Sequence, residues 1–216
     1  KETYATTGSR MRVRLFGGWD FTDADIHSPN WVERGYNRGV PMGADMPSPS
    51  RKDQAPVFMI SSWKDPDGAN LDRVQVIKGW VDASGQRRER VVDVAGNADN
   101  GAAVDLQSCA TSGSGFADLC TVWVDKDFDP SERAYYYSRA VENPTCRWSQ
   151  RMCAAAGVNC ARPETISDGY EGCCVAEHRP IVQERAWSSP VWYSPASATD
   201  SGALGVSASR VNGSSN

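Results

Sequence analysis

The sequence predicts an all-β fold, an Ig-like or jelly-roll-like β-sandwich with long loops and a short helix in a disulfide-rich insertion. Short apolar runs rich in β-branched and aromatic residues recur along the chain, and clusters of Gly, Pro, Asn and Asp separate them. Only one segment carries clear helix start and stop signals. We assign residues 1–193 to one β-sandwich domain and residues 194–216, rich in Ser, Ala and Gly, to a C-terminal tail.

The strands are predicted from alternation or from continuous apolar character. In the first of them Met11, Val13 and Leu15 alternate with polar residues and would face the core. Residues 19–52 lack such a pattern and are predicted to be a long loop held by its own aromatic side chains. A turn at Ser84 should close a hairpin. The predicted strands are residues 11–16, 57–60, 71–80, 91–94, 104–106, 119–124, 134–142 and 191–193.

A cysteine-rich insertion, residues 146–174, interrupts the last two strands, which we expect to be neighbours. Five of the seven cysteines lie in it. The chain lacks paired C-x-x-C ligands and a histidine pair, which favours disulfides over zinc. Ser149 as N-cap and Gly157 as C-terminal stop predict the short helix over residues 150–156.

The odd number of cysteines leaves at least one of them without a partner in the monomer. Cys109 and Cys120 flank a glycine-rich turn, so we predict that they pair with each other and leave five cysteines in the insertion. The candidates for disulfides are Cys109, Cys120, Cys146, Cys153, Cys160, Cys173 and Cys174.

Composition limits the compartment and the partners. Disulfides persist in oxidising compartments, so we expect a secreted or periplasmic protein. The net charge of −4 and the scattered basic residues argue against a nucleic-acid partner. No apolar run approaches the length of a bilayer, so no transmembrane segment is predicted. The first residue, Lys1, is not a methionine, and we interpret the chain as a fragment or a processed product of a longer polypeptide.

Two acidic loops suggest calcium, the one cofactor for which the sequence offers candidate ligands. Oxygen-bearing side chains at alternating positions around a turn can wrap a hard cation, although both loops lack the distal glutamate of an EF-hand and also fit ordinary polar turns. The candidate ligands are Asp65, Asp67, Asn70 and Asp72 in the first loop and Asp125, Asp127 and Asp129 in the second.

No catalytic residue can be assigned. The two histidines, His27 and His178, lie far apart in the sequence, and no nucleophile elbow, zinc-protease motif or phosphate-binding glycine loop is present. Whether the chain is an enzyme therefore stays open, although the residues favour a non-catalytic domain. The eight tryptophans fit either small cores under the long loops, which we favour, or a platform on which sugars stack.

Several ordered motifs resemble the C-terminal third of a large bacterial family of unknown function, whose members are similar to the PHP-type metal-dependent phosphoesterases. The resemblance covers roughly residues 1–193. In that family the metal-binding histidines and acids lie upstream, so the resemblance implies that the catalytic region is absent from this chain. It also suggests that the loop at residues 35–43 faces that region. The motifs are KETYATTG (1–8), RLFGGW (14–19), GVPMG (39–43), DPDGANLD (65–72), DFDP (127–130) and QERAWSSP (183–190).

These observations lead to three hypotheses. The first is a non-catalytic accessory domain of a secreted or periplasmic PHP-like hydrolase, acting in docking, stabilisation or assembly. The alternatives are a calcium-assisted carbohydrate-binding module and a hydrolase with an unrecognised site. The expected partners are the missing N-terminal catalytic region or other protein subunits, and the oligomeric state stays open. Candidate interface residues are Tyr36, Met42, Trp148, Arg185 and Trp187, and contacts of Arg147 and Trp148 with residues 184–187 should hold the insertion to the sheet.

Overall fold

The structure, a computed structural model, describes residues 1–51 and 53–195. Two sheets, one of seven strands and one of four, pack face to face, so the predicted all-β sandwich is confirmed. The predicted tail begins at Ser194, and residues 196–216 lie outside the described residues.

The seven-stranded sheet is built around one long strand. This strand, β11 (Ala134–Glu142), pairs along its whole length with β6 (Leu71–Val81), while β14 (Arg185–Ser188) and β15 (Val191–Tyr193) share its other edge. The sheet is antiparallel except where β4 (Asp45–Met46) runs parallel to β15. Its strands are β1 (Tyr4–Thr6), β4 (Asp45–Met46), β6 (Leu71–Val81), β7 (Arg87–Gly96), β11 (Ala134–Glu142), β14 (Arg185–Ser188) and β15 (Val191–Tyr193). The predicted hairpin (β6 and β7) and the predicted pairing of the two last strands (β11 and β15) are thus confirmed.

The four-stranded sheet consists of β2 (Arg12–Gly18), β3 (Gly39–Pro41), β5 (Val57–Trp63) and β10 (Asp118–Val124). Its strand order is β10-β5-β2-β3, and it is fully antiparallel. Two small two-stranded sheets complete the set. They consist of β8 (Ala103–Val104) with β9 (Thr111–Ser112), and of β12 (Thr145–Cys146) with β13 (Ile181–Val182).

The main core lies between the two large sheets. Val13 and Ile60 of the four-stranded sheet pack there against Val76, Tyr136 and Val191 of the seven-stranded sheet, and all five side chains are at most 3% exposed. Burial of such side chains is the dominant favourable term in folding. The period-2 alternation of the strands delivers these residues to one face, as the sequence predicted.

The segment predicted as an irregular loop, residues 19–52, contains two helices. Helix α1 (Asp23–Ile26) and helix α2 (Trp31–Arg38) cover part of the outer face of the four-stranded sheet around the buried Phe16. Gly35 in α2 lies against the Phe16 ring, where a Cβ would be only 2.6 Å from ring carbons. The loop prediction was therefore wrong: tertiary packing stabilises a helix that its own sequence signals only weakly.

The cysteine-rich insertion is cross-linked by two disulfides, Cys153–Cys173 and Cys160–Cys174. A third disulfide joins Cys109 to Cys146 and ties the insertion to the preceding loop. The predicted Cys109–Cys120 pair was wrong, because β10 places Cys120 on the outer face of its sheet, where it stays a free, half-buried thiol.

The insertion's helix and its predicted contacts also differ from expectation. Helix α3 spans Trp148–Ala155 with Arg147 as N-cap, so it begins two residues before the predicted start. Two 3₁₀ turns follow at Pro163–Thr165 and Glu171–Cys174. Among the described residues, Arg147 donates from Nε to the carbonyl of Ile181 at 3.2 Å, and neither it nor Trp148 makes an ion pair or cation–π contact with residues 184–187.

None of the helices within residues 1–51 and 53–195 is both long and apolar enough to cross a membrane.

Candidate functional site

An open groove of about 1280 Å³ lies beside the β2 edge of the sandwich. Strand β2 provides two of its arginines, β5 and α2 its tryptophans, and β1 one wall. We call it the arginine groove. Its principal lining residues are Tyr4, Thr6, Arg12, Arg14, Trp31, Met42, Trp63 and Asp118.

Arg12 and Arg14 are the defining groups of the arginine groove. They alternate with the buried Met11, Val13 and Leu15, so the pleat directs them to the outer face. Among the described residues neither guanidinium has an ion pair or a side-chain hydrogen bond. Two unpaired guanidiniums on one face suit an anionic group, because each offers planar, charged donors in a fixed fork.

Two tryptophans flank these arginines. Trp63 is the cross-strand neighbour of Arg12 and is 37% exposed. The ring of Trp31, on α2, lies with its centroid 6.3 Å from that of Trp63. Asp118, paired with Trp63 on its other side, adds one carboxylate at the far wall. Because Arg10, Lys64 and Asp67 also line it, the groove combines aromatic surface with four cationic and two anionic side chains, a composition typical of protein interfaces.

The first predicted calcium loop forms the rim of the arginine groove. Asp65 accepts the backbone N–H of Arg10 at 2.6 Å and that of Asp67 at 3.0 Å, and the Arg10 guanidinium pairs with both carboxylates. These backbone hydrogen bonds, with the Arg10 charge, lower the pKa of Asp65 despite its burial. A cation at this loop would compete with Arg10.

The remaining oxygens of that loop point elsewhere. Asn70 accepts from Lys64 Nζ at 3.1 Å, and its amide donates to the carbonyl of Ser114. Asp72 lies 2.7 Å from Arg73 and accepts from the amide of Gln183 at 3.0 Å. Each of these side chains already has a protein partner.

The second predicted calcium loop is likewise engaged. Asp125 lies 2.5 Å from the ammonium of Lys78 inside the sandwich. Asp127 pairs with Arg90, and the Asp129 carboxylate accepts from the backbone and hydroxyl of Ser131.

Neither loop assembles its oxygens into a common site. Across the described ranges, no group of three or more His, Cys, Asp or Glu side chains is arranged to hold a metal ion. Calcium binding by these loops stays a prediction.

Comparison with known families places most of the chain in one of them. Residues 1–195 match the family model described as "Protein of unknown function (DUF3604)". The chain belongs to this family. Neither the curated proteins nor the solved structures gave a match. The range shared with DUF3604 includes both the arginine groove and the cysteine-rich insertion, so both features lie within the family's domain.

The predicted interface residues lie in different places in this DUF3604 domain. Tyr36 is 46% exposed on α2, donates to Glu2 at 2.6 Å and packs edge-on against Phe16. Met42 is only 5% exposed and belongs to the main core, although it reaches the floor of the arginine groove. Of these two, Tyr36 presents the freer surface.

The other three candidates lie away from the arginine groove. Trp148 on α3 is 75% exposed, the most open of the large apolar side chains described. Arg185 is exposed on β14, where its backbone exchanges hydrogen bonds with Thr7, and Trp187 is half-buried on the outer face of the seven-stranded sheet. The structure does not bring the five candidates together into one surface.

The histidines are also separate. His27 lies 3.6 Å from Asp23 on α1, and His178 shares a 2.8 Å hydrogen bond with Gln150 in the insertion.

Sequence reasoning missed the arginine groove, although a signal was present. The alternation that placed Met11, Val13 and Leu15 in the core also places Arg12 and Arg14 outside, on a single face. What the sequence could not show was that Trp31, from a segment predicted as a loop, lies next to Trp63.

Proposed function

We propose that this DUF3604 domain is a non-catalytic accessory domain that docks onto a catalytic region of the same polypeptide through the arginine groove. The resemblance noted in the sequence suggests that this region is a PHP-like, metal-dependent hydrolase preceding Lys1. The three disulfides indicate an oxidising compartment, and the proposal takes the polypeptide to be secreted or periplasmic.

The position of Lys1 is the observation that carries the proposal. Its backbone lies against Gly43, where its Cβ is 2.8 Å from the place that a Gly43 Cβ would occupy, and Gly43 adopts a φ of 88°. Gly43 follows Met42, which lines the arginine groove. A segment preceding Lys1 would therefore begin at the edge of the groove, and a short connection would be enough to bring its domain there.

The chemistry of the groove favours an acidic docking surface. Arg and Trp are the residues that most often dominate binding energy at protein interfaces, and Arg12, Arg14, Trp31 and Trp63 are clustered here. Aspartate or glutamate side chains of the catalytic region would pair with the two free guanidiniums, while an apolar side chain could pack between the tryptophans. Such pairing would fix orientation as well as affinity.

The test begins with the natural polypeptide. Mass spectrometry of it should show a segment before Lys1 that contains the histidines and acids of a metal site. The separately produced upstream region should then bind the 216-residue chain in calorimetry.

A double charge reversal, Arg12→Glu with Arg14→Glu, should weaken this association by about 100-fold or more, because charge pairs at interfaces couple by several kcal/mol. The matched control is Arg151→Glu with Arg162→Glu, which reverses two exposed arginines of the insertion and should leave binding unchanged. Equal binding by the groove variant and the control would sink the proposal, as would the absence of any catalytic segment before Lys1.

A further inference from the structure

A second surface, on the opposite side of the sandwich, carries a row of aromatic side chains. On β11, Tyr135 and Tyr137 point away from the core, while the intervening Tyr136 is buried in it. Trp192 on β15 is the cross-strand partner of Tyr135 and is 44% exposed. We call Tyr137, Tyr135 and Trp192 the aromatic row.

The three rings of the aromatic row are neighbours, and two of them are nearly parallel. The centroids of Tyr137 and Tyr135 are 6.4 Å apart, and their planes differ by only 9°. The Trp192 ring continues the row with its centroid 5.4 Å from that of Tyr135. The row thus crosses from one strand to the next and offers three consecutive rings.

The neighbouring strand β6 is shaped to let these rings lie over it. Gly79 is the cross-strand partner of Tyr135, and a Cβ at that position would overlap the Tyr135 ring. Ile77, the partner of Tyr137, is 1% exposed although it lies on the outer face. Gly79 has no side chain and Ile77 is covered, and both observations indicate that the tyrosine rings lie across β6 rather than stand away from the sheet.

Polar side chains lie next to Tyr137 on the outer face of the seven-stranded sheet. Arg139 donates from Nε to the side-chain oxygen Oε1 of Gln75 at 2.7 Å, and Gln75 Nε2 donates to the Asp93 carboxylate at 2.6 Å. Within the described ranges the terminal nitrogens of Arg139 have no hydrogen-bond partner. The side chain is therefore held in place by one nitrogen while the other two can bind a ligand.

We propose that the aromatic row is a binding site for a flat polysaccharide chain of β-1,4-linked sugars. Each sugar ring has an apolar C–H face that can stack on an aromatic ring and a rim of hydroxyls that need polar partners. The three rings of the row provide the stacking surface, and Arg139, held by its hydrogen bond to Gln75, provides polar partners for the hydroxyls. The planes of Tyr137 and Tyr135, which differ by only 9°, fit a flat chain better than a helically wound one, while the Trp192 plane is tilted by 50° from that of Tyr135. This inference does not depend on the docking function of the arginine groove.

A pull-down of the full chain with microcrystalline cellulose and with chitin tests the site, and granular starch serves as the wound-chain comparison. We expect binding to cellulose or chitin and weaker binding to starch. Trp192→Ala and Tyr137→Ala should each weaken binding by about tenfold, since each removes one stacking ring. Trp148→Ala is the matched control, because it removes an exposed tryptophan from the insertion and should leave binding unchanged.

Melting curves must show that the Trp192 and Tyr137 variants stay folded. Arg139→Gln gives a further measurement that keeps the rings intact, and it should also reduce binding. The proposal is overturned if the chain binds neither polysaccharide, if the ring variants bind like the parent, or if sedimentation shows that the aromatic row is instead buried between two copies of the chain.

Discussion

The ammonium of Lys78 and the carboxylate of Asp125 lie 2.5 Å apart within the sandwich, with side-chain exposures of 5% and 2%. Lys78 belongs to β6 of the seven-stranded sheet, and Asp125 follows β10 of the four-stranded sheet. The phenol of Tyr136 donates to the same Asp125 oxygen at 2.7 Å. One buried carboxylate therefore links both sheets, and its role is structural rather than metal-binding in this arrangement.

Removing Asp125 should destabilise the fold strongly. Asp125→Ala leaves the Lys78 charge buried without its partner, which typically costs about 3–5 kcal/mol in the free energy of unfolding. Urea denaturation measures the change. Asp127→Ala is the control, because its exposed pair with Arg90 should contribute less than about 1 kcal/mol. Similar losses for the two variants would contradict the buried role of Asp125.

Calcium should leave the melting temperature unchanged. Arg10 is paired with Asp65, and Lys78 with Asp125, so a calcium ion would have to displace a cation from the buried carboxylate of each loop. A site with a Kd of about 0.1 mM would add about 1.4 kcal/mol at roughly 1 mM calcium, or about 3–6 °C for a domain of this size. Melting with calcium and with a chelator measures the difference. A rise of that size would restore the calcium hypothesis.

Glu142 should make the fold less stable as the pH rises. Its side chain is buried, and its Oε1 has no hydrogen-bond partner among the described residues. Burial raises the pKa of Glu142, and the nearby Glu184 and Asp65 carboxylates act in the same direction. A carboxyl whose pKa is raised on folding stabilises the fold at pH values below its pKa in the unfolded chain. This stabilisation is lost as the pH rises through the pKa of the folded protein.

The variant Glu142→Gln isolates this contribution, because it keeps the shape and cannot ionise. We expect it to be at least as stable as the parent at neutral pH and to lose the decline in stability above the unfolded pKa. Denaturation curves measured from about pH 4 to about pH 8 provide the comparison. A glutamate with a raised pKa titrates within this range. A variant with the same pH profile as the parent would show that another group is responsible.

The strands could be predicted because local pattern and tertiary burial agree in them. In β11 burial alternates from Ala134 to Ala140, with Tyr136 in the core and Tyr135 outside, as the pleat of a strand requires. Helix α2 could not be predicted in the same way, since it contains Gly35, a weak helix former whose value here is the close approach of Phe16. The partner of Cys109 depended on distances across the fold, which spacing along the chain does not encode.

The cysteine connectivity can be checked by counting thiols. With Cys109 joined to Cys146 and Cys120 free, the parent should show one reactive thiol under denaturing conditions and Cys120→Ala none. Cys109→Ala with Cys146→Ala should lower the free energy of unfolding by about 3 kcal/mol, because a long loop is no longer closed in the unfolded chain. Cys120→Ala should cost less than about 1 kcal/mol. A newly freed Cys109 thiol in Cys120→Ala would instead support the pairing of those two residues.

Asp25 should make α1 and α2 sensitive to acid. Burial alone would raise the pKa of its carboxyl, but hydrogen bonds from the backbone and hydroxyl of Thr22 and the guanidiniums of Arg34 and Arg38 lower this pKa to about 2. A carboxyl with a depressed pKa stabilises the fold above its unfolded pKa, and that stability is lost as the pH falls through the folded pKa. The window therefore runs from about pH 4 down to about pH 2, and the free energy of unfolding should fall by about 2 kcal/mol across it.

Asp25→Asn should show a similar loss of stability already at neutral pH and a flatter pH profile in acid, measured by urea denaturation at several pH values. Asp20→Asn is the control, since the exposed Asp20 pairs with the same Arg38 at 3.3 Å and should change stability by less than about 1 kcal/mol. Equal behaviour of the two variants would mean that the cap formed by Thr22 and Asp25 does not hold these helices on the sheet.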